Sequence, residues 1–296
     1  MRNMMMAAYT GYKTKDKVEN FVESFLKFKK ANDHLVIISD ENESEIDDYL
    51  KERQVETIKL PVYTGHPYND RFLWFEQAAA AWHDDALVMA CDIRDVVFQA
   101  NPFDELQKRL KYDMIYVSEN IDFREWWNGH MMKAAFPENM EKMLMRPVYN
   151  CGVMMGKART FCKLMKMMNS TLQYSNEDGL VVDGKECMVI GDQAAYSLLI
   201  NYEWPKTHGT VTSNIDDFVF TAAVAPYDIE RIIIQDGKVC NDKGQPYTIV
   251  HQYDRLKEIL NYEDGVFTLG PDKVTEGFLN TKVEGQEETR FFHKEA

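Results

Sequence analysis

The sequence is poor in cysteine, lacks long apolar runs and nowhere concentrates positive charge. Each absence removes a class of protein. The five cysteines, Cys91, Cys151, Cys162, Cys187 and Cys240, are odd in number, with no CxxC pair and no Cys/His ligand spacing. That argues against a disulfide framework or a zinc module and fits reduced, structural thiols in a cytoplasmic protein. No stretch approaches the ~18 apolar residues of a membrane-crossing helix. The opening MRNMMMAAYTGYKTKDK holds an apolar run too short for a signal peptide, and a first strand accounts for it better. Lys and Arg number 34 against 48 Asp and Glu, a formal charge of −14, and with no basic run a nucleic-acid partner is not expected. No G-x-G-x-x-G follows the first apolar segment, which argues against a dinucleotide dehydrogenase. Internal repeats and low-complexity segments are absent.

What remains is ample material for a core. The chain has 296 residues, 45% of them hydrophobic, within the range that α/β enzymes fill as one unit. Met4 to Tyr9 reads as a strand ending in Thr10, Gly11 and Tyr12. Val18, Phe21, Val22, Phe25, Leu26 and Phe28 then recur at helical spacing. HLVIISD is a continuous apolar strand, buried on both faces. SEIDDYLKERQ is a short helix capped at Ser44 or Glu43. VETIKLPVY is a third strand, NDRFLWFEQAAAAWHDD a helix capped at Asn69 or Asp70, and ALVMACD a fourth strand. This alternation predicts an α/β fold with a mostly parallel central sheet covered on both faces. In such sheets ligands bind outside the carboxyl ends of the strands. Two ends therefore stand out, Tyr9-Thr10-Gly11 and Asp92-Ile93-Arg94-Asp95. Further on, QDGKV has the Asp-Gly signature of a hairpin. The segment from about Pro271 is polar and weakly patterned, and reads as a docked or disordered extension.

Five groups of residues carry candidate chemistry. Asp92 and Asp95 at a strand end supply the one or two carboxylates with which Mg²⁺ or Mn²⁺ bridging a phosphate is held. The same residues with Arg94 also read as a salt-bridged turn. His251, in TIVHQYDR, suits a third ligand for Mn²⁺, and equally an ordinary polar histidine. Asp192 of GDQAAYSLLI reads as the N-cap of the next helix, with Gln193 less demanded by capping. Asn150 and Gly152 bracket a tight turn, or supply an amide for a sugar hydroxyl beside a glycine that permits close approach. Trp126 and Trp127 read either as core anchors or as a stacking surface for pyranose rings.

Taken in order, AAYTGY, RFLWFEQ, LVMACDIRDVVFQANPF, YNCGVMMG, GDQAAYSLL and VHQYDR resemble a GT-A-fold glycosyltransferase. More narrowly they resemble the group whose metal motif reads D-x-R-D-V-V-F-Q, to which giant algal virus and bacterial sugar transferases are similar. The resemblance spans about residues 4–256. It implies one GT-A unit over 1–256, with a nucleotide-binding half about 1–104, a sugar and acceptor half about 105–256, and an extension over 257–296. It also implies a nucleotide-sugar donor, usually a UDP-sugar, a glycan or other hydroxyl acceptor, and Mn²⁺ or Mg²⁺. By position, Asp92 and Asp95 stand where the D-x-D carboxylates hold metal and ribose. His251 completes the metal shell. Thr10, Gly11 and Tyr12 lie along base and ribose, and Arg71 reaches toward the donor. Asn150, Asp192 and Gln193 line the sugar and acceptor pocket as the catalytic set.

One departure matters: Arg94 occupies the usual third, acidic slot. This leaves open which of Asp92 and Asp95 holds the ion, and frees Arg94 to bind the donor or buttress the site. The expected reaction neutralises the leaving diphosphate with a metal through an oxocarbenium-like transition state. GDQ resembles the helix starts of retaining transferases. Two rivals stand beside this reading. A sugar nucleotidyltransferase would want a glycine-rich basic loop after the first strand, where TGYKTKDK has one glycine. An inert sugar-nucleotide-binding or scaffold protein would keep the fold without donor turnover.

Overall fold

Residue parity along the strands decides which way each side chain faces, and so where the site falls. The computed structural model describes residues 2–40, 44–61, 67–175, 180–182, 185–187, 191–203, 209–213, 217–223, 233–255 and 260–269. Of the extension expected over 257–296, residues 260–269 are among them and the polar segment from about Pro271 is not; residues 188–190, expected as a strand or turn, and His66, expected as an ordinary surface histidine, also lie outside. The strands are β1 (Asn3–Tyr9), β2 (Asp33–Ser39), β3 (Glu56–Lys59), β4 (Leu87–Asp92), β5 (Val96–Phe98), β6 (Met114–Asp122), β7 (Pro147–Tyr149) and β8 (Val153–Lys157). Then come β9 (Leu180–Val182), β10 (Lys185–Cys187), β11 (Gly209–Ser213), β12 (Val219–Thr221), β13 (Ile233–Gln235), β14 (Lys238–Cys240), β15 (Ile249–His251), β16 (Leu260–Glu263) and β17 (Val266–Leu269). The helices are α1 (Glu19–Phe28), α2 (Glu45–Glu52), α3 (Pro67–Ala80), α4 (Pro102–Arg109), α5 (Trp126–Ala135), α6 (Met140–Met143), α7 (Ala158–Leu172) and α8 (Asp192–Leu198).

The main sheet has eight strands. Seven run in the order β11-β6-β8-β4-β1-β2-β3, and β7 pairs with β6. β3, β2, β1 and β4 are mutually parallel, and β11 is parallel to β6. β8 runs antiparallel between β4 and β6, so the expected mostly parallel sheet is mixed at its centre. Alternate residues feed two cores. Met4, Met6, Val36, Ile38, Val88 and Ala90 face the layer of α3, α7 and α8. Met5, Ala7, Leu35, Ile37, Met89 and Cys91 face that of α1, α2 and α4. Asp92 shares the parity of Val88 and Ala90, so it emerges on the side of α3 and α8.

Local signals explain most element ends. Ser44 and Asp47 form a reciprocal capping box on α2. Asn101 caps α4, with Pro102 just inside. Asp236 and Gly237 have φ of 51° and 71°, the hairpin turn that Asp-Gly favours. Two expected caps need correction. α3 starts at Pro67, a residue suited to the first helical position, so Asn69 and Asp70 sit inside its first turn. The N-cap of α8 is Gly191, and Asp192 is its first helical residue.

A second, three-stranded sheet, β12-β15-β5, delivers His251. β5 follows directly from Asp95, and β15 pairs with it antiparallel, setting His251 opposite Val96. The Gln252 N–H donates to the Asp95 carbonyl at 2.6 Å. A third core, including Val97, Phe220, Val239, Tyr247, Val250 and Phe267, packs under this sheet. Gln99 stitches it together. Its Nε2 donates to the carbonyls of Val239 at 2.9 Å and Tyr247 at 2.7 Å, and its Oε1 accepts from the Val239 N–H at 2.8 Å. Gln99→Ala removes three buried hydrogen bonds at once and is expected to lower stability by about 3 kcal/mol, read as a lower urea midpoint.

Candidate active site

Where β4, β8, α3 and α8 meet, charge is concentrated and largely buried. Arg71 of α3 lies between two carboxylates. Its Nη1 donates to Asp92 Oδ1, and its Nη2 donates to Asp192 Oδ2 at 2.6 Å. Burial alone would raise the Asp92 pKa, but Arg71 and His251 beside it override burial and hold the carboxyl well below the usual range. Asp192 Oδ1 also accepts the Gln193 N–H at 2.7 Å.

His251 is 1% exposed. Its Nε2 lies 3.5 Å from Asp92 Oδ2 and 3.8 Å from Asp95 Oδ1, and has no hydrogen-bond partner among the described residues. Burial lowers its pKa, while Asp92, Asp95 and Glu119 raise it, and the balance lies above the ordinary histidine value. Ligand atoms of Asp92, Asp95 and His251 all lie within 4.8 Å of one another. Ligands sharing one ion at ~2.1 Å stand roughly 3 Å apart, so the three residues fit a divalent cation with little movement. Two hard carboxylates and one imidazole suit Mn²⁺ or Mg²⁺.

Gly152 makes this approach possible. A Cβ there would stand 2.6 Å from His251 Nε2 and 2.7 Å from Asp92 Oδ2, so the close approach expected of this glycine is to the ligand cluster itself. Beside it, Asn150 is wholly buried. Its Oδ1 accepts from the N–H groups of Gly152 at 2.8 Å and Val153 at 3.0 Å, which fixes the amide's orientation. Its Nδ2 faces Glu119 Oε1 at 2.9 Å, Thr221 Oγ1 at 3.0 Å and His251 Nδ1 at 2.8 Å. Asn150 thus positions His251.

Two arginines, paired with Asp95 and Asp254, stand at the mouth of the site. Arg94, its side chain 38% exposed, pairs with Asp95 at 3.2 Å and Asp254 at 3.3 Å. Arg255, half-exposed, lies 3.4 Å from Asp95 Oδ2. Thr10, Gly11 and Tyr12 follow β1, whose Ala8 lies opposite Asp92, and the Tyr12 ring stacks on Tyr9 with centroids 6.2 Å apart. They sit one strand over from the carboxylates. The contacts join Asp92, Asp95, His251, Arg71, Arg94, Asn150, Asp192 and Gln193 in one cluster.

Sequence reading missed two groups. Arg255 is four residues past His251, a spacing that in an irregular segment carries no signal. Glu119 lies in β6 just before Asn120, whose φ is 58°, and looks in sequence like an outward strand residue. It is 4% exposed and accepts from Asn150 and, at 3.1 Å, from Gln193 Nε2. Burial pushes its carboxyl up to about 7, with Glu125 adding to the rise and His251 opposing it.

The chain belongs to the nucleotide-diphospho-sugar transferase family, whose model matches residues 84–255, more than half of the sequence. No curated protein matches it. Among solved structures, apo mouse xyloside xylosyltransferase 1 is similar, with a TM-score of 0.50 and 11% identity over 85% of this chain and 97% of that one. At that identity the likeness establishes the fold, a GT-A glycosyltransferase fold. No helix among the described residues is long and apolar enough to cross a membrane.

Mn²⁺ is expected to raise the melting temperature of the wild type, and Gly152→Ala to abolish that rise. Glu119 gives a pH signature. The native state keeps its proton up to about pH 7 while the unfolded chain loses it near the ordinary 4.5. Its contribution to stability therefore falls as pH rises through that window and is level above it. Glu119→Gln removes the titration, so its melting temperature relative to wild type is expected to climb from pH 4.5 to 7 and then plateau in metal-free thermal scans.

Proposed function

We propose that this protein is a metal-dependent glycosyltransferase that takes a UDP-sugar donor and transfers the sugar with retention of anomeric configuration. The observation that carries the reading is the convergence of Asp92, Asp95 and the unpartnered Nε2 of buried His251 at the carboxyl end of β4, in a chain of this family. When bound there, a divalent cation supplies the positive charge that neutralises a leaving diphosphate.

The chain's own groups do the rest. Arg94 and Arg255 line the mouth and hold the diphosphate, the local positive charge an acidic protein needs for an anionic donor. Thr10, Gly11 and Tyr12 flank the nucleoside. Arg71, fixed between Asp92 and Asp192, keeps both carboxylates in place, while Asn150 holds His251. Gln193, its amide nitrogen held by Glu119 and Asn128, forms part of the wall on the sugar side. Retention is favoured because neither carboxylate beside Gln193, Asp192 or Glu119, offers an open oxygen as base. Asp192 is tied to Arg71 and its own helix N-terminus, and Glu119 has both oxygens engaged inside the protein. The leaving phosphate is then the remaining base for the acceptor hydroxyl.

UDP with Mn²⁺ at about 100 times its Kd is expected to stabilise the wild type by about 2.7 kcal/mol, seen as a raised melting temperature. Asp92→Ala should lose the Mn²⁺ dependence. No response of the wild type to UDP, with or without Mn²⁺, would falsify the reading. Donor hydrolysis across UDP-, GDP- and dTDP-sugars with Mn²⁺ identifies the nucleotide, and UDP binding with no turnover of any sugar means an inert binder. The anomeric signal of the transferred sugar by NMR checks retention.

A further inference from the structure

Helix α5 begins with two tryptophans that the core does not absorb. Trp127 is 41% exposed and Trp126 is partly exposed. Their rings lean together, centroids 6.1 Å apart and 36° inclined. The Trp126 ring continues onto His130 at 4.9 Å. A carbonyl only accepts, so the 2.6 Å contact between His130 Nδ1 and the Trp126 carbonyl places a proton on Nδ1 and fixes the ring. The result is a stepped aromatic surface with polar edges.

That surface is tied to the candidate active site by direct bonds. Glu125 accepts the N–H groups of Trp127 at 3.1 Å and Asn128 at 2.7 Å, fixing the first turn of α5. Asn128 Oδ1 accepts from Gln193 Nε2 at 2.9 Å, the same nitrogen that donates to Glu119. Trp127 therefore directly precedes a residue whose side chain is bonded to Gln193. The flanking Arg124 is held by Asp122 in a paired contact of 3.0 and 2.5 Å, so no net positive charge is offered to an anionic partner.

An indole face takes an apolar surface while its edge stays wet. We infer that Trp126 and Trp127 form the acceptor platform, and that the acceptor is a neutral saccharide lying across the two indoles with its reactive end toward the start of α8. This rests on the transferase reading above.

The test uses the full chain with UDP and Mn²⁺ on an array of neutral and acidic saccharides, alongside Trp127→Ala and Trp127→Phe. The UDP and Mn²⁺ melting shift of each protein reports separately on folding and on the donor site. The expected result is wild-type binding to neutral saccharides, weakened roughly tenfold in Trp127→Ala and mostly kept in Trp127→Phe. A wild type that shows the UDP shift but binds no saccharide or prefers acidic ones overturns the platform alone. So does a Trp127→Ala variant that binds as tightly as wild type. Absence of the UDP shift in the wild type overturns the transferase reading beneath it.

Discussion

The site depends on one buried guanidinium. Arg71 carries the compensating charge for Asp92 and Asp192, and those two carboxylates come from elements a hundred residues apart in the chain. Two buried carboxylates with no cation between them would repel each other and take up protons. Removing one partner of such a group leaves an uncompensated buried charge. With Arg71 in place, the end of β4 and the start of α8 are held together. Asp92 stays ionised through its second oxygen, which is turned toward His251. The ion pair therefore does more than join elements. It divides the two oxygens of Asp92 between structure, at Oδ1, and a metal-facing position, at Oδ2.

A chain with a formal charge of −14 has to bind an anionic donor against its overall field. Long-range attraction is screened within about 10 Å at ordinary ionic strength, so what matters is the local balance. Around Asp92 and Asp95 stand Arg71, Arg94, Arg255 and a histidine whose pKa lies above its ordinary value, set against Asp192 and Asp254. Arg94 in the motif's third slot fits this arrangement. It gives up a carboxylate and adds a cation at the mouth, while Asp95, turned back by the strand that follows, is placed to offer the second acidic oxygen. Asp92 and Asp95 each place an oxygen beside the same imidazole nitrogen, so the three-residue cluster does not need an acid at position 94.

Much of this was legible in the sequence because it follows strand and helix periodicity. The end of β4 was marked by an apolar run breaking into Asp92-Ile93-Arg94-Asp95. The relevance of His251 required only that a later strand return to that end, which β5 and β15 accomplish. What was not legible depends on tertiary contacts. Asp192 has the composition of an N-cap, yet Gly191 takes that place, and the Asp192 side chain is shared between Arg71 and the Gln193 N–H. The start of α3 was marked by Pro67, a signal weaker by eye than the Asn-Asp pair that follows it. Gln99 and Asn101, part of a motif suggestive of chemistry, are structural. Gln99 joins the third core, and Asn101 caps α4 and bonds Asp33 at 2.6 Å. Glu119 was invisible because nothing local distinguishes a buried strand glutamate from an exposed one.

The polar chain through the site follows a simple count. Asn150 Nδ2 has two hydrogens and faces three atoms, on Glu119, Thr221 and His251. It donates to two of them at a time, because an amide nitrogen accepts nothing in return. The amide cannot turn over to help, because its oxygen is already committed to two backbone N–H groups. From Glu119 the same logic continues to Gln193 and Asn128, ending at the capping carboxylate of α5. A line of hydrogen bonds thus runs from the nitrogen behind His251 to the helix that carries Trp126 and Trp127, and in the proposed reading it fixes the spacing between the donor site and the acceptor platform.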